Sequence, residues 1–252
     1  GLPTVGLRAK ERYRDGATDL VVRHFKRLIG RDYDYVAREI SRGSRFFEEF
    51  KGRIERGPTG EVLIRVGEKK YSVIEIASFL LKKIVDTAES EAQKLRGESI
   101  EKVVITIPAG FHNEQREATF MAAKAVGLTN VKVIEEPTAA ALEKSVQDQK
   151  GSFMVIDVGA GTTDIVVGYK EEEHGELHLD MANRECDDIL GGIDMDYLIL
   201  DYLFREDKNQ PLLKDIYPML HDAEKGRLMA KIEEAKINTS VDGSASIAIT
   251  LQ

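Results

Sequence analysis

Residues Val155–Val167 read VIDVGAGTTDIVV, and their order carries a chemical message. Met154-Val155-Ile156 is a short apolar run that reads as a buried strand. Asp157 ends it. Gly159-Ala160-Gly161 then form a turn with almost no side chain, so that backbone N–H groups can close on a bound anion. Thr162 and Thr163 add hydroxyls, Asp164 adds a second carboxylate, and Ile165-Val166-Val167 open another strand. An ordinary hairpin needs only the glycines. The carboxylate at the strand end and the threonine pair point instead to a seat for a metal-bound phosphate.

Composition sets the outer limits. With 252 residues the chain can fill one large domain or two lobes, and a hydrophobic share of 42% with 32% charged residues describes a folded protein, not a disordered one. No apolar run has the length of a membrane span, and residues 1–20 lack a signal-peptide pattern. The single cysteine, Cys186, excludes an internal disulfide framework, suits a reducing compartment, and has no histidine near it in sequence. A net charge of −8 argues against a nucleic-acid binder, although residues 1–60 hold 14 Lys+Arg against 9 Asp+Glu, a local +5. A chain ending in Thr250-Leu251-Gln252, within an apparent strand, reads as a piece of something longer.

Residues 1–20 are weakly patterned. Leu20 to Gly30 form a short element closed by glycine, in which Lys26-Arg27 sits between Phe25 and Leu28-Ile29, so one cation must share an apolar neighbourhood. On this stretch alone a snorkelling Lys26 is the plainer reading. Residues 31–60 read as charged and irregular, and Glu61–Val66 with Lys69–Ser72 as a hairpin. Ser72 and Glu75 form a capping box for a helix whose apolar positions Val73, Ile76, Ala77, Leu80, Ile84 and Ala88 recur at helical spacing. Val103–Ile107 reads as a buried strand, Asn113–Val126 as a helix and Val131–Ile134 as a strand, with Pro137 opening another helix. This is the rhythm of an α/β layer structure. After the Val155–Val167 hairpin come a solvated turn through Glu171-Glu172-Glu173, a strand from Leu177 to Ala182, and Gly191-Gly192 ahead of a helix from Asp194. Free N–H groups at that helix start can hold an anion. A helical stretch over 211–239, broken near Pro218, leads to a last strand over 244–251.

Five segments together resemble the seventy-kilodalton heat-shock chaperones of the DnaK type. They are Phe25–Gly30, Val103–Phe111 with Gln115–Thr119, Ile134–Ala141, the Gly159–Thr163 turn, and Leu190–Asp194. Order and spacing fit from about Pro3 to Ile249. The resemblance implies the actin-like ATPase fold, with ribonuclease H-like lobes around a nucleotide cleft. The first lobe would take residues 1–150, with 1–73 outermost and 74–150 innermost. The second would take residues 151–252, with 151–190 innermost and 191–252 outermost.

The same resemblance implies ATP or ADP with Mg²⁺, and K⁺ as a further cation. Lys26 would face the γ-phosphate and attacking water, and Glu136 and Asp157 would orient water or the Mg²⁺ hydration shell. Thr162 would sit by the γ-phosphate with Gly159, Ala160, Gly161 and Thr163, and Asp164 would add charge near the cations. Gly191 and Gly192 would lie by the phosphates, and Glu233, Lys236 and Ser240 by ribose and adenine. The implied partners are J-domain and nucleotide-exchange co-chaperones and unfolded client peptides bound by a domain outside these residues, in the cytoplasm, with no nucleic acid and no membrane.

This sequence departs from the family pattern in several places. The family's Asp-Leu-Gly-Thr-Thr loop, its later adenosine segment and its peptide-binding domain are not in these residues. Ala160 stands for a glycine, Gly110 for an aromatic, Ile193 for an acid and Glu135 for an amide. The expectation is therefore a fragment of an ATPase with negligible turnover of its own. An actin-like cytoskeletal ATPase shares the phosphate turn and the Ile-Glu-Glu-Pro segment, and a non-catalytic piece that docks co-chaperones is a further alternative. Phe25–Gly30 and Gln115–Thr119 favour the chaperone.

Overall fold

A computed structural model describes residues 3–142, 151–173, 176–187, 190–206, 216–244 and 247. It opens with helix α1 (Leu7–Arg14), a 3-10 turn at Phe25–Leu28, helix α2 (Tyr33–Ser41) and a second 3-10 turn at Arg45–Phe50. The sequence reads as irregular over most of this region because its signals are tertiary. Helix α1 buries none of its residues. Helix α2 rests on the Asp32 side chain, which accepts from the Tyr35 N–H at 2.8 Å, and on fully buried Val36.

Three antiparallel strands follow, β1 (Ile54–Arg56), β2 (Val62–Val66) and β3 (Lys69–Ser72), the last two forming the expected hairpin. Helix α3 (Val73–Arg96) starts at the expected capping box. Ser72 Oγ accepts from Glu75 N–H at 3.1 Å, Glu75 Oε2 accepts from Ser72 N–H at 2.7 Å, and Gly97 closes the helix in a left-handed conformation. Strand β4 (Val103–Ile107), helix α4 (Asn113–Ala125), strand β5 (Val131–Glu135) and helix α5 (Glu136–Ala141) then complete a parallel β4–β5 unit. In the second half β6 (Gly151–Val158), β7 (Thr163–Glu173) and β8 (Glu176–Asp187) form an antiparallel sheet, followed by α6 (Gly192–Glu206), a 3-10 turn at Tyr217–Met219 and α7 (Asp222–Asp242). Of the turn expected over Tyr169–Leu177, residues 169–173 belong to strand β7 and 176–177 to β8, while 174–175 lie outside the described residues. The strand expected over 244–251 lies, apart from 244 and 247, outside the described residues, as do 211–215 of the expected helical stretch.

Two apolar clusters hold these elements. One joins Leu28, Val36, Phe47, Phe50, Ile64, Ile107 and their neighbours, and the other joins Leu200, Leu228 and Ile232. Two strands expected to be buried alternate instead. Val104 is 57% exposed on β4, and Met154 and Ile156 are 61% and 56% exposed on β6. Their apolar content is strand-forming, but one face of each strand has no covering layer among the described residues.

Gly30 fixes how the Phe25–Leu28 turn meets α4. Its φ is +67°, and a Cβ there would lie 2.5 Å from the backbone N and Cα of Gln115. Gly97 has φ +68° but nothing within 4 Å. Gly30→Ala should therefore cost about 3 kcal/mol, combining left-handed strain with overpacking, and lower the melting temperature by about ten degrees. Gly97→Ala should cost only about 1 kcal/mol. Equal thermal melts for the two variants would show that the close approach to α4 carries no energy.

Candidate functional site

The bare turn is closed by its own backbone and by the start of α6. Gly159 N–H donates to Thr162 O at 2.9 Å, Gly192 N–H to Gly159 O at 3.1 Å, and Ile193 N–H to Ala160 O at 2.8 Å. The sequence expectation that the Gly191-Gly192 helix start offers free N–H groups to an anion is thus corrected for Gly192: its N–H serves a carbonyl of the turn. Thr163 is buried and donates its hydroxyl to Leu190 O at 2.8 Å, a further tie between β7 and the entry to α6.

A cavity of about 160 Å³ opens on this turn, and its walls are cationic. Gly159, Ala160, Gly161 and Thr162 line one side, and Lys26, Arg27 and Arg31 with Glu136 line the other. Lys26 Nζ donates to Glu136 Oε1 at 2.7 Å across 110 residues of sequence. Of the neighbouring cations, Arg27 is the one that shares the apolar neighbourhood. Its side chain is 4% exposed and its guanidinium donates to Asp194 Oδ2 on α6 at 2.7 Å, whereas the Lys26 side chain is 51% exposed.

The two acids of the hairpin lie directly opposite each other in the β6–β7 register, Asp157 against Asp164, which places both on one face of the sheet. Asp164 is 1% exposed. Its Oδ1 accepts from Ala109 N–H at 3.0 Å and Gly110 N–H at 3.4 Å, and Thr162 Oγ1 lies 3.4 Å from its Oδ2. Its immediate work is therefore to tie the turn to the loop after β4. No cluster of three or more His, Cys, Asp or Glu side chains stands ready to cage a metal among the described residues. A cation here would take its ligands from phosphate and water, with Asp157 facing the hydration shell.

Glu233, Lys236 and Ser240 share α7 but not partners. Lys236 Nζ is 2.7 Å from Asp196 Oδ1 and donates to Gly192 O at 2.5 Å, Glu233 accepts from Lys10 at 2.8 Å, and Ser240 Oγ donates back to Lys236 O at 3.1 Å. Burial holds the Asp196 carboxyl above the ordinary aspartate value despite the Lys236 ammonium. Burial also pushes Glu233 upward, but the hydrogen bond and charge of Lys10, with Arg23 and Lys236, outweigh it and leave its carboxyl below the ordinary value. Arg27, Arg31, His24, Phe111 and Gln115 line the cavity although the motifs do not single them out as site residues. Only the neighbourhood of Arg27 carried a signal, as an unresolved cation between apolar residues.

The chain is similar to known proteins along most of its length. The sequence model of the family described as Hsp70 protein matches residues 3–252. The Chaperone protein DnaK of Thermus thermophilus is 36% identical over 229 residues, covering 89% of this chain and 34% of the relative. That of Deinococcus radiodurans is 36% identical over 229 residues, covering 89% and 33%. The mitochondrial Heat shock 70 kDa protein of Pisum sativum is 33% identical over 225 residues, covering 88% and 30%. The chain belongs to the Hsp70 family. It spans about a third of the length of the curated relatives it matches. None of its described helices is long and apolar enough to cross a membrane.

The Lys10–Glu233 pair joins α1 to α7 at partly exposed side chains, so its contribution is that of a surface pair, about 0.5–1 kcal/mol. Because the folded Glu233 value is lowered, that stability is present above the ordinary glutamate range and is lost as pH falls through the folded value. Lys10→Met should lower the melting temperature by about two degrees at pH 7 and by less as pH falls below the ordinary glutamate range. A difference that persists undiminished in melts at pH 3 would assign it to packing instead.

Proposed function

We propose that this chain is the nucleotide-binding portion of a chaperone ATPase, in which ATP hydrolysis controls a peptide-binding domain. One observation carries the reading: Lys26 and Glu136, far apart in sequence, form an ion pair on the wall of the same small cavity as the bare turn Gly159–Thr162. The separate apolar clusters support two lobes, 1–150 and 151–252, in the actin-like arrangement. The proposal extends to co-chaperones of the J-domain and nucleotide-exchange classes and to client peptides, and to a cytoplasmic setting, although the family also includes the mitochondrial Heat shock 70 kDa protein of Pisum sativum.

The residues divide the work. The Lys26 ammonium meets the terminal phosphate and stabilises charge as its oxygens gain it, while Glu136 holds that ammonium in place and orients water. The backbone of Gly159 to Gly161 and the Thr162 hydroxyl receive phosphate oxygens at a surface free of large side chains. Mg²⁺, when bound, neutralises phosphate charge. Asp157 faces its hydration shell, and Asp164 keeps the turn in register from behind. Glu233, Lys236 and Ser240 offer the nucleoside a polar helix face.

In the full-length protein, Lys26→Ala should slow single-turnover hydrolysis of Mg²⁺-ATP by roughly a hundred- to thousand-fold, equivalent to about 3–4 kcal/mol, while binding falls far less. A rate within threefold of the parent would remove Lys26 from the chemistry. Asp157→Asn should weaken binding of ATP with Mg²⁺ more than binding of ATP without it. Calorimetric titrations in both conditions check this, and equal losses would count against a role at the metal.

A further inference from the structure

Lys26 depends on a strained residue two places before it. His24 is the one non-glycine among the described residues with positive φ, at φ 48° and ψ 21°, a left-handed conformation that costs energy unless its surroundings impose it. It caps the Phe25–Leu28 turn: the His24 carbonyl accepts from Arg27 N–H at 2.9 Å. Both ring nitrogens are engaged. Nδ1 is 2.7 Å from Glu49 Oε1, and Nε2 is 3.2 Å from Arg23 Nη2. A guanidinium only donates, so Nε2 accepts and Nδ1 carries the proton given to Glu49. The ring lines the same cavity as Lys26 and Glu136, yet with both nitrogens held it has neither a free donor nor a free acceptor for a ligand.

We propose that His24 is a positioning residue for Lys26: Glu49 and Arg23 lock its side chain, the lock imposes the left-handed backbone, and that backbone aims the next turn so that Lys26 meets Glu136. Glu49 is well placed as the anchor, because it sits in the Arg45–Phe50 turn between Phe47 and Phe50, both 1% exposed in the first core cluster. Arg23 is braced in turn, over the Tyr13 ring at 4.4 Å and 3.8 Å from Glu233. The Lys26 side chain is itself half exposed, so its own packing does not fix it. The functional meaning of this device rests on the proposed phosphate-facing role of Lys26, whereas the geometry does not.

The test reads the Lys26 amine directly and needs no nucleotide. Acylation of the folded protein by an N-hydroxysuccinimide acetate, resolved by peptide mass spectrometry, gives the rate at Lys26, with distant Lys82 on α3 as reference. Glu136→Gln should raise the Lys26 rate at least threefold by removing its partner. His24→Ala, and independently Glu49→Ala, should raise it to a similar extent with Lys82 unchanged. His24→Asn, which tolerates the left-handed backbone and places an amide where Nδ1 lies, should stay near the parent. Adding His24→Ala to Glu136→Gln should produce no further rise, because both act through one contact. A Lys26 rate unchanged in His24→Ala and Glu49→Ala would overturn the proposal, as would an equal rise at Lys82 or additive effects in the double variant. If these rates behave as expected while Lys26→Ala leaves hydrolysis intact, the ATPase reading fails and the positioning of Lys26 by His24 stands.

Discussion

The site depends on one contact of backbone against backbone. A Cβ on Gly191 would lie 2.7 Å from the Ala160 carbonyl oxygen and 2.8 Å from the Gly161 nitrogen, closer than any side chain can stand. With that carbon absent, the first turn of α6 docks on the bare turn and the hydrogen bonds of Gly192 and Ile193 become possible. Each contributes only about 1 kcal/mol net. Their larger effect is geometric. Once α6 is placed, Asp194 is carried to Arg27 and Asp196 to Lys236, so two further ion pairs inherit their position from a missing methyl group.

The second constraint is the pitch of the Phe25–Leu28 turn. A 3-10 helix turns about 120° per residue, so three consecutive side chains leave in three directions. Lys26 goes to Glu136, Arg27 to Asp194, and Leu28 into the core with no exposed surface. An α-helix at about 100° per residue would distribute the same residues differently around its axis. Arg27 fixes the direction in which this segment meets α6, because removing Asp194 would leave a guanidinium that is 4% exposed without its carboxylate. Lys26 and the bare turn, which come from opposite halves of the chain, are thereby held in one mutual geometry by a neighbour of each.

Much of this was legible in the residues wherever the signal is local. The Ser72–Glu75 capping box, the hairpin before it, the βαβ rhythm over 103–135 and the bare turn depend on neighbours within a few positions, and each stands where its pattern implies. Burial was less legible. Met154-Val155-Ile156 is apolar throughout, but the run does not say whether one covering layer or two will form. Helices α1 and α2 were missed because one packs no residue deeply and the other relies on a cap and a single buried valine. The motif placed the site at Lys26-Arg27, but it did not reveal which of the two cations is buried, nor the αL conformation of His24, for which no sequence pattern exists. The N–H group of Gly192 misled for a related reason: a helix start is an anion site only where no carbonyl arrives first, and here the carbonyls of the turn take the Gly192 and Ile193 N–H groups.

Two acids, Glu233 on α7 and Asp196 facing it from α6, show how burial decides what a charge is for. Glu233 keeps some contact with water, so the cations around it prevail, its carboxyl is lowered, and the pair with Lys10 stabilises the fold at neutral pH. Asp196 is 3% exposed, and the loss of hydration prevails over a lysine at 2.7 Å. Its ionised form therefore costs the folded state more than it contributes as pH rises above the ordinary aspartate range. The Asp196–Lys236 pair is accordingly poor at stabilising but specific in direction. The ammonium also donates to the Gly192 carbonyl at 2.5 Å, and the N–H of that residue reaches the turn at Gly159. Through that glycine the polar face of α7 and the bare turn are joined by direct contacts and form one assembled surface.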